Sequence, residues 1–191
     1  DLVVEDADGD GDGDLLVAAR VGLDRHVGVY LNDGTGAFGA PATHSLAYTS
    51  NVATPPRLVA GDLDGDDDID VVATDVGDFT TPSGEVVDGT VAMVGLNDGT
   101  GAFAAAGGPI EVGFAGDFRA LEPTLADVDD DGSLDIAVGG ANFTTLSGDG
   151  AGGFGPPVRS EFTSPQDDQV VPADIDGDGK LDLVGLESDP A

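Results

Sequence analysis

Asp62-Leu63-Asp64-Gly65-Asp66-Asp67-Asp68-Ile69-Asp70, followed at once by Val71-Val72-Ala73-Thr74, carries the pattern from which the fold can be read. The same spacing returns at 6–14, 127–135 and 174–182. Positions 1, 3, 5 and 9 are aspartate every time: Asp6, Asp8, Asp10, Asp14; Asp62, Asp64, Asp66, Asp70; Asp127, Asp129, Asp131, Asp135; and Asp174, Asp176, Asp178, Asp182. These windows fill 36 of 191 residues yet hold 20 of the 32 aspartates, a concentration that general solubility does not require. Carboxylates crowded into one short loop repel by about 4 kcal/mol per close pair at an effective dielectric near 20. Oxygen ligands alone, at alternate positions of a tight loop, suit a hard cation that accepts many of them, so the pattern predicts four Ca2+ sites rather than Mg2+ sites. Position 6 is Gly11, Asp67, Gly132 or Gly179, residues that tolerate the left-handed turn needed to wrap the loop.

An EF-hand begins in the same way but closes with a glutamate at position 12 and runs into a helix. Here position 12 is Val17, Ala73, Val138 or Gly185. The segments after the loops, such as Leu15-Leu16-Val17-Ala18-Ala19 and Ile136-Ala137-Val138-Gly139, are short, aliphatic and closed by turn residues. They read as buried strands.

The windows start 56, 65 and 47 residues apart, a period that belongs to repeat architectures. A second element keeps phase with them. Val29-Tyr30-Leu31-Asn32-Asp33-Gly34-Thr35-Gly36-Ala37-Phe38 returns as Val94-Gly95-Leu96-Asn97-Asp98-Gly99-Thr100-Gly101-Ala102-Phe103, and more loosely at 145–154. A strand, an Asn-Asp-Gly turn and an aromatic residue opening the next strand make a β-hairpin signature. Each period then holds four antiparallel strands, which is a propeller blade.

The remaining composition excludes several classes. Six basic residues against 38 acidic ones, a formal charge of −32, leave no cationic patch for nucleic acid. With no cysteine there is no disulfide framework, and no run of eighteen apolar residues spans a bilayer. A hydrophobic content of 40% in regular short runs argues against disorder, and 31 glycines with one lysine favour an all-β chain.

Together, the aspartate windows and the Asn-Asp-Gly-x-Gly-x-Phe hairpins resemble the FG-GAP/VCBS repeats of integrin-α-like β-propellers. The resemblance implies that the aspartate loop joins the first two strands of a blade and binds Ca2+. It also implies a fifth ligand, the main-chain carbonyl at position 7, which falls on Asp12, Asp68, Ser133 and Lys180. The blades are expected at about 1–47, 55–112 and 121–161, with a half blade at about 169–191. Three and a half blades do not close a propeller, so the expectation is a fragment of a longer protein, commonly seven-bladed in that family, whose remaining blades would be its partners.

No nucleophile elbow, zinc-binding helix motif or catalytic cysteine is present, and His26 and His44 read as ordinary strand or surface residues. The Gly150–Gly155 match to a dinucleotide-binding fingerprint runs into Pro156-Pro157 and is a glycine-rich hairpin. The expected function is therefore a non-catalytic, calcium-binding extracellular or cell-surface scaffold for adhesion or for recognition of a carbohydrate or protein. The alternative is the scaffold portion of a secreted polysaccharide-acting enzyme, and a third reading is a spacer. Ligand contacts are sought in the irregular connections 24–26, 43–57, 75–90, 113–122 and 161–168, above all at Phe118 and Arg119.

Overall fold

The computed structural model describes residues 1–50, 52, 54–80, 86–113, 120–140, 142–161 and 170–185, with backbone alone at 78–80, 86–88, 142 and 161. Among these residues every regular element is a strand. The first sheet is β1 (Leu2–Glu5), β2 (Asp14–Val21), β3 (Asp24–Tyr30) and β4 (Ala42–Thr49). The second is β5 (Arg57–Gly61), β6 (Asp70–Thr80), β7 (Val86–Asn97) and β8 (Phe103–Ala105), with β9 (Ile110–Glu111) also pairing with β7. The third is β10 (Pro123–Ala126), β11 (Asp135–Val138), β12 (Asn142–Leu146) and β13 (Val158–Glu161). A hairpin of β14 (Val170–Ala173) and β15 (Asp182–Gly185) follows. Within each sheet the strands lie in chain order, and neighbours are antiparallel. The expectation of an all-β chain built from four-stranded antiparallel units is met.

The aliphatic runs after the second and third aspartate loops become strands buried on both faces. In β6, Val71 and Ala73 point into a seam with the first sheet, where they meet Leu16, Ala18, Val27, Val29 and Leu46. Val72, between them, points the other way and packs with Ile136, Val138 and Leu146 of the third sheet. Period-two alternation delivers a continuous apolar run to two cores at once. Full burial of each such side chain stabilises by about 1.5–3 kcal/mol.

Polar groups pin these two seams and the one between the third sheet and the final hairpin. The Ser50 hydroxyl donates to the Val76 carbonyl at 2.6 Å, and the Thr124 hydroxyl donates to the Val170 carbonyl at 2.9 Å. The Thr74 hydroxyl donates to the Leu121 carbonyl, and the Arg25 guanidinium pairs with Asp75.

Three expectations about the connections are corrected. Much of the segment 75–90 is paired strand, in register from Asp75↔Val91 to Thr80↔Val86. Its Asp and Gly residues look like breakers, but Asp75 is buried with Arg25 as its partner. Gly77 is required because a Cβ there would fall 1.6 Å from the Tyr48 hydroxyl oxygen. The segment 24–26 opens β3, and Arg25 is fully buried rather than offered to a ligand. The first part of the segment 43–57, up to Thr49, belongs to β4, with Tyr48 buried in the first seam. His26 and His44 sit on β3 and β4, where the His44 ring meets Phe103 edge-on, centroids 6.0 Å apart.

Candidate metal centre

Each aspartate loop spans the turn between the first two strands of a sheet. Pairing of Glu5 with Asp14 closes the first loop, and Gly61↔Asp70, Ala126↔Asp135 and Ala173↔Asp182 close the others. The turn folds back because its own carboxylates collect its own N–H groups. The position-1 aspartate accepts twice: Asp6 takes Asp10 N–H at 3.1 Å and Gly11 N–H at 2.8 Å, and Asp174 takes Gly177 N–H at 2.7 Å and Gly179 N–H at 3.0 Å. Asp62 and Asp127 do the same. The position-5 aspartate accepts the N–H at position 7 in all four loops, from Asp12, Asp68, Ser133 and Lys180, at 2.8–3.0 Å.

The backbone at position 6 is left-handed as expected, with φ of +92° at Gly11 and +70° at Asp67. Position 4 is left-handed too, with Asp130 at +62° where the other loops have glycine. That requirement was not read from the sequence, although Gly9, Gly65 and Gly177 carried the signal.

These turns bring carboxylate oxygens together. Asp6, Asp8 and Asp10 offer oxygens within 4.8 Å of one another, as do Asp62, Asp64 and Asp66. In the later loops the groups are Asp127, Asp129 and Asp135, and Asp174, Asp176 and Asp182. Oxygens bound 2.3–2.6 Å from one ion lie no more than about 5 Å apart, so each group is placed to hold a metal ion. Positions 1 and 3 join every group, position 5 the first two and position 9 the last two.

Position 3 carries the strongest sign that a cation fits. Asp8 Oδ1 and Asp64 Oδ1 are buried and have no hydrogen-bond partner. Burial, reinforced by Asp10, Asp14 and Asp6, pushes the Asp8 carboxyl above its ordinary range. Burial and then Asp66 do the same for Asp64. A buried carboxylate oxygen without a donor is costly, and one held among other carboxylate oxygens is what a hard cation would satisfy.

Position 9 has a second role that the sequence did not disclose. Asp14, Asp70 and Asp135 are buried, and each uses both oxygens on backbone N–H groups. Asp14 accepts Ala7 N–H at 2.9 Å from its own loop and Asn32 N–H at 2.7 Å from the hairpin turn. Asp70 accepts from Leu63 and Asn97, and Asp135 from Val128 and Gly148. Burial raises the Asp70 carboxyl to about 6, against the pull of its two N–H donors and with help from the charges of Asp64 and Asp66. The position-9 aspartate thus ties loop to hairpin turn, and its remaining lone pairs stay able to meet an ion.

At position 7, the Asp12 and Asp68 carboxylates lie against Gly34 and Gly99 of the hairpin turns, so closely that a Cβ on either glycine would sit 2.4 or 2.5 Å from a carboxylate oxygen. Lys180 turns away from its own loop and pairs with Asp130 of the preceding one. Phe118 and Arg119, sought as ligand contacts, lie outside the described residues, as do 114–117 and 162–169.

Residues 6–73 match the family model of the FG-GAP-like repeat, a stretch running from the first aspartate loop through the second and into β6. The chain therefore carries an FG-GAP-like repeat. No curated protein matches the chain. Among the described residues no helix is long and apolar enough to cross a membrane.

Proposed function

We propose that this FG-GAP-like chain is a stretch of β-propeller, stabilised by Ca2+ in its four aspartate loops, that serves outside the cell as a non-catalytic scaffold for recognising a carbohydrate or protein ligand. The observation that carries the metal reading is the pair of buried, unpartnered oxygens on Asp8 and Asp64 at the centre of carboxylate groups. Positions 1, 3, 5 and 9 would supply side-chain ligands, and by family resemblance the carbonyls of Asp12, Asp68, Ser133 and Lys180 would add a main-chain one. Bound Ca2+ would offset the mutual repulsion of the carboxylates and rigidify the turns.

The propeller reading is supported by successive four-stranded sheets that pack through like positions. Leu58 and Leu63 are buried by neighbouring sheets, whereas Leu2 and Ile175, which occupy the same repeat positions, are 56% and 68% exposed. That contrast supports further blades on both sides, supplied by a longer protein. An extracellular setting follows if the sites are of the weaker kind, which fill only at free Ca2+ far above cytosolic levels. No nucleophile or zinc motif in the sequence competes with the scaffold reading.

Calorimetric titration of chelator-treated protein with CaCl2, with MgCl2 as the control, tests the metal reading. About four equivalents of Ca2+ and a marked rise in the melting temperature are expected. Absence of Ca2+ binding at millimolar concentration overturns it.

A further inference from the structure

We propose that the first two aspartate loops are each also the joint between their own sheet and the next, so that cation binding in such a loop and closure of the following seam are one coupled event. This rests on the reading that the loops hold cations. The joint is the residue at position 2. In the first loop that residue is Ala7, 1% exposed, whose peptide lies between Asp6 and Asp8. Its N–H donates to Asp14 of the same sheet at 2.9 Å. Its carbonyl accepts the side-chain amide of Asn97, from the hairpin turn of the second sheet, at 2.8 Å. One peptide therefore connects two members of the carboxylate group, the staple of its own sheet and a donor of the next.

The arrangement repeats with the same direction and different chemistry. Leu63 at position 2 of the second loop donates to Asp70 at 2.9 Å, and its carbonyl accepts the backbone N–H of Gly152, from the third sheet, at 3.1 Å. At the third loop the contact from the following hairpin is the ammonium of Lys180 on Asp130. In each case the later unit holds the loop of the earlier one. Repulsion that splays Asp6, Asp8 and Asp10 would drag the Ala7 peptide with them and strain the bond to Asn97. Conversely, Asn97 favours the loop conformation in which the three carboxylates converge. Linkage makes the two effects reciprocal.

The test is a double-mutant cycle read by Ca2+ calorimetry on the whole chain. Asn97→Leu removes the amide donor at nearly constant volume, and Asn97→Ala serves as the second variant. Either should weaken one of the four sites about fivefold and leave the other three unchanged. In an Asp8→Asn background, where the first site is disabled, the same change at Asn97 should have no effect on the remaining sites. The reverse arm needs no change at the seam: Asp8→Asn in saturating Ca2+ should speed amide exchange across residues 97–103 and not across 145–154. Unchanged affinities with Asn97→Leu, or unchanged exchange with Asp8→Asn, overturn the coupling while leaving the cation reading intact. A wild-type chain that binds no Ca2+ overturns both.

Discussion

The Arg25 guanidinium and the Asp75 carboxylate form an ion pair buried in the seam between the first two sheets, with side-chain exposures of 1% and 0%. Arg25 also donates to the Val52 carbonyl at 2.9 Å. Asp75 accepts the Thr54 hydroxyl at 2.9 Å and the Val76 N–H at 2.7 Å. Breaking such a pair from one side strands a charge in the interior. Arg25→Met is expected to lower unfolding free energy by about 3–5 kcal/mol in saturating Ca2+, measured by urea denaturation. Adding Asp75→Asn, which keeps an acceptor for Thr54 and Val76, should recover part of that loss.

Replacing Asp8 should have opposite consequences with and without metal. In chelator, Asp8→Asn removes a buried, repelled carboxylate. The variant is then expected to be more stable than the parent. In Ca2+ it loses a ligand and should melt lower than the parent. Paired thermal melts in chelator and in CaCl2 check the reversal, and a uniform effect in both would remove Asp8 from the cation group.

The metal-free protein should lose stability as the pH rises from about 4 to 6. Asp70 ionises near 3.8 when unfolded and at about 6 when folded, so the folded chain binds the extra proton in that window. Stability then falls with pH, by on the order of 2 kcal/mol, and levels off above the folded value. Asp33 and Asp98 are held low, first by the hydroxyls of Thr35 and Thr100, and they act in the opposite sense only as pH falls below about 4. In saturating Ca2+ the slope should invert, because protons then compete with the ion. Denaturation midpoints at a series of pH values, with and without Ca2+, decide the matter.

Left-handed aspartates give a local contrast. Asp67 at φ +70° makes no ion pair among those described, so Asp67→Gly should stabilise by about 1 kcal/mol. Asp130 at φ +62° is paired with Lys180, and Asp130→Gly gives up that contact, so its net effect should be close to zero. Chemical denaturation of the two variants in Ca2+ separates the cases.

The sequence alone was enough to locate the four aspartate loops, the strands that follow them and the Asn-Asp-Gly hairpins. Each of those features is set within about fifteen residues by period-two burial, turn chemistry and carboxylates that fold back on their own N–H groups. The left-handed backbone at Asp67 was legible for the same reason. What lay beyond reach depends on partners distant in the chain. Asp75 and Gly77 look like strand breakers until Arg25, 50 residues earlier, and Tyr48 supply the charge and the atoms that make them fit. The bond from Asn97 to the carbonyl of Ala7 joins residues 90 apart, and nothing local to either announces it. Local periodicity determines which segments become strands and loops; only the packing of one sheet on the next decides which polar groups are paired, and which carboxylate oxygens are left facing one another without a donor.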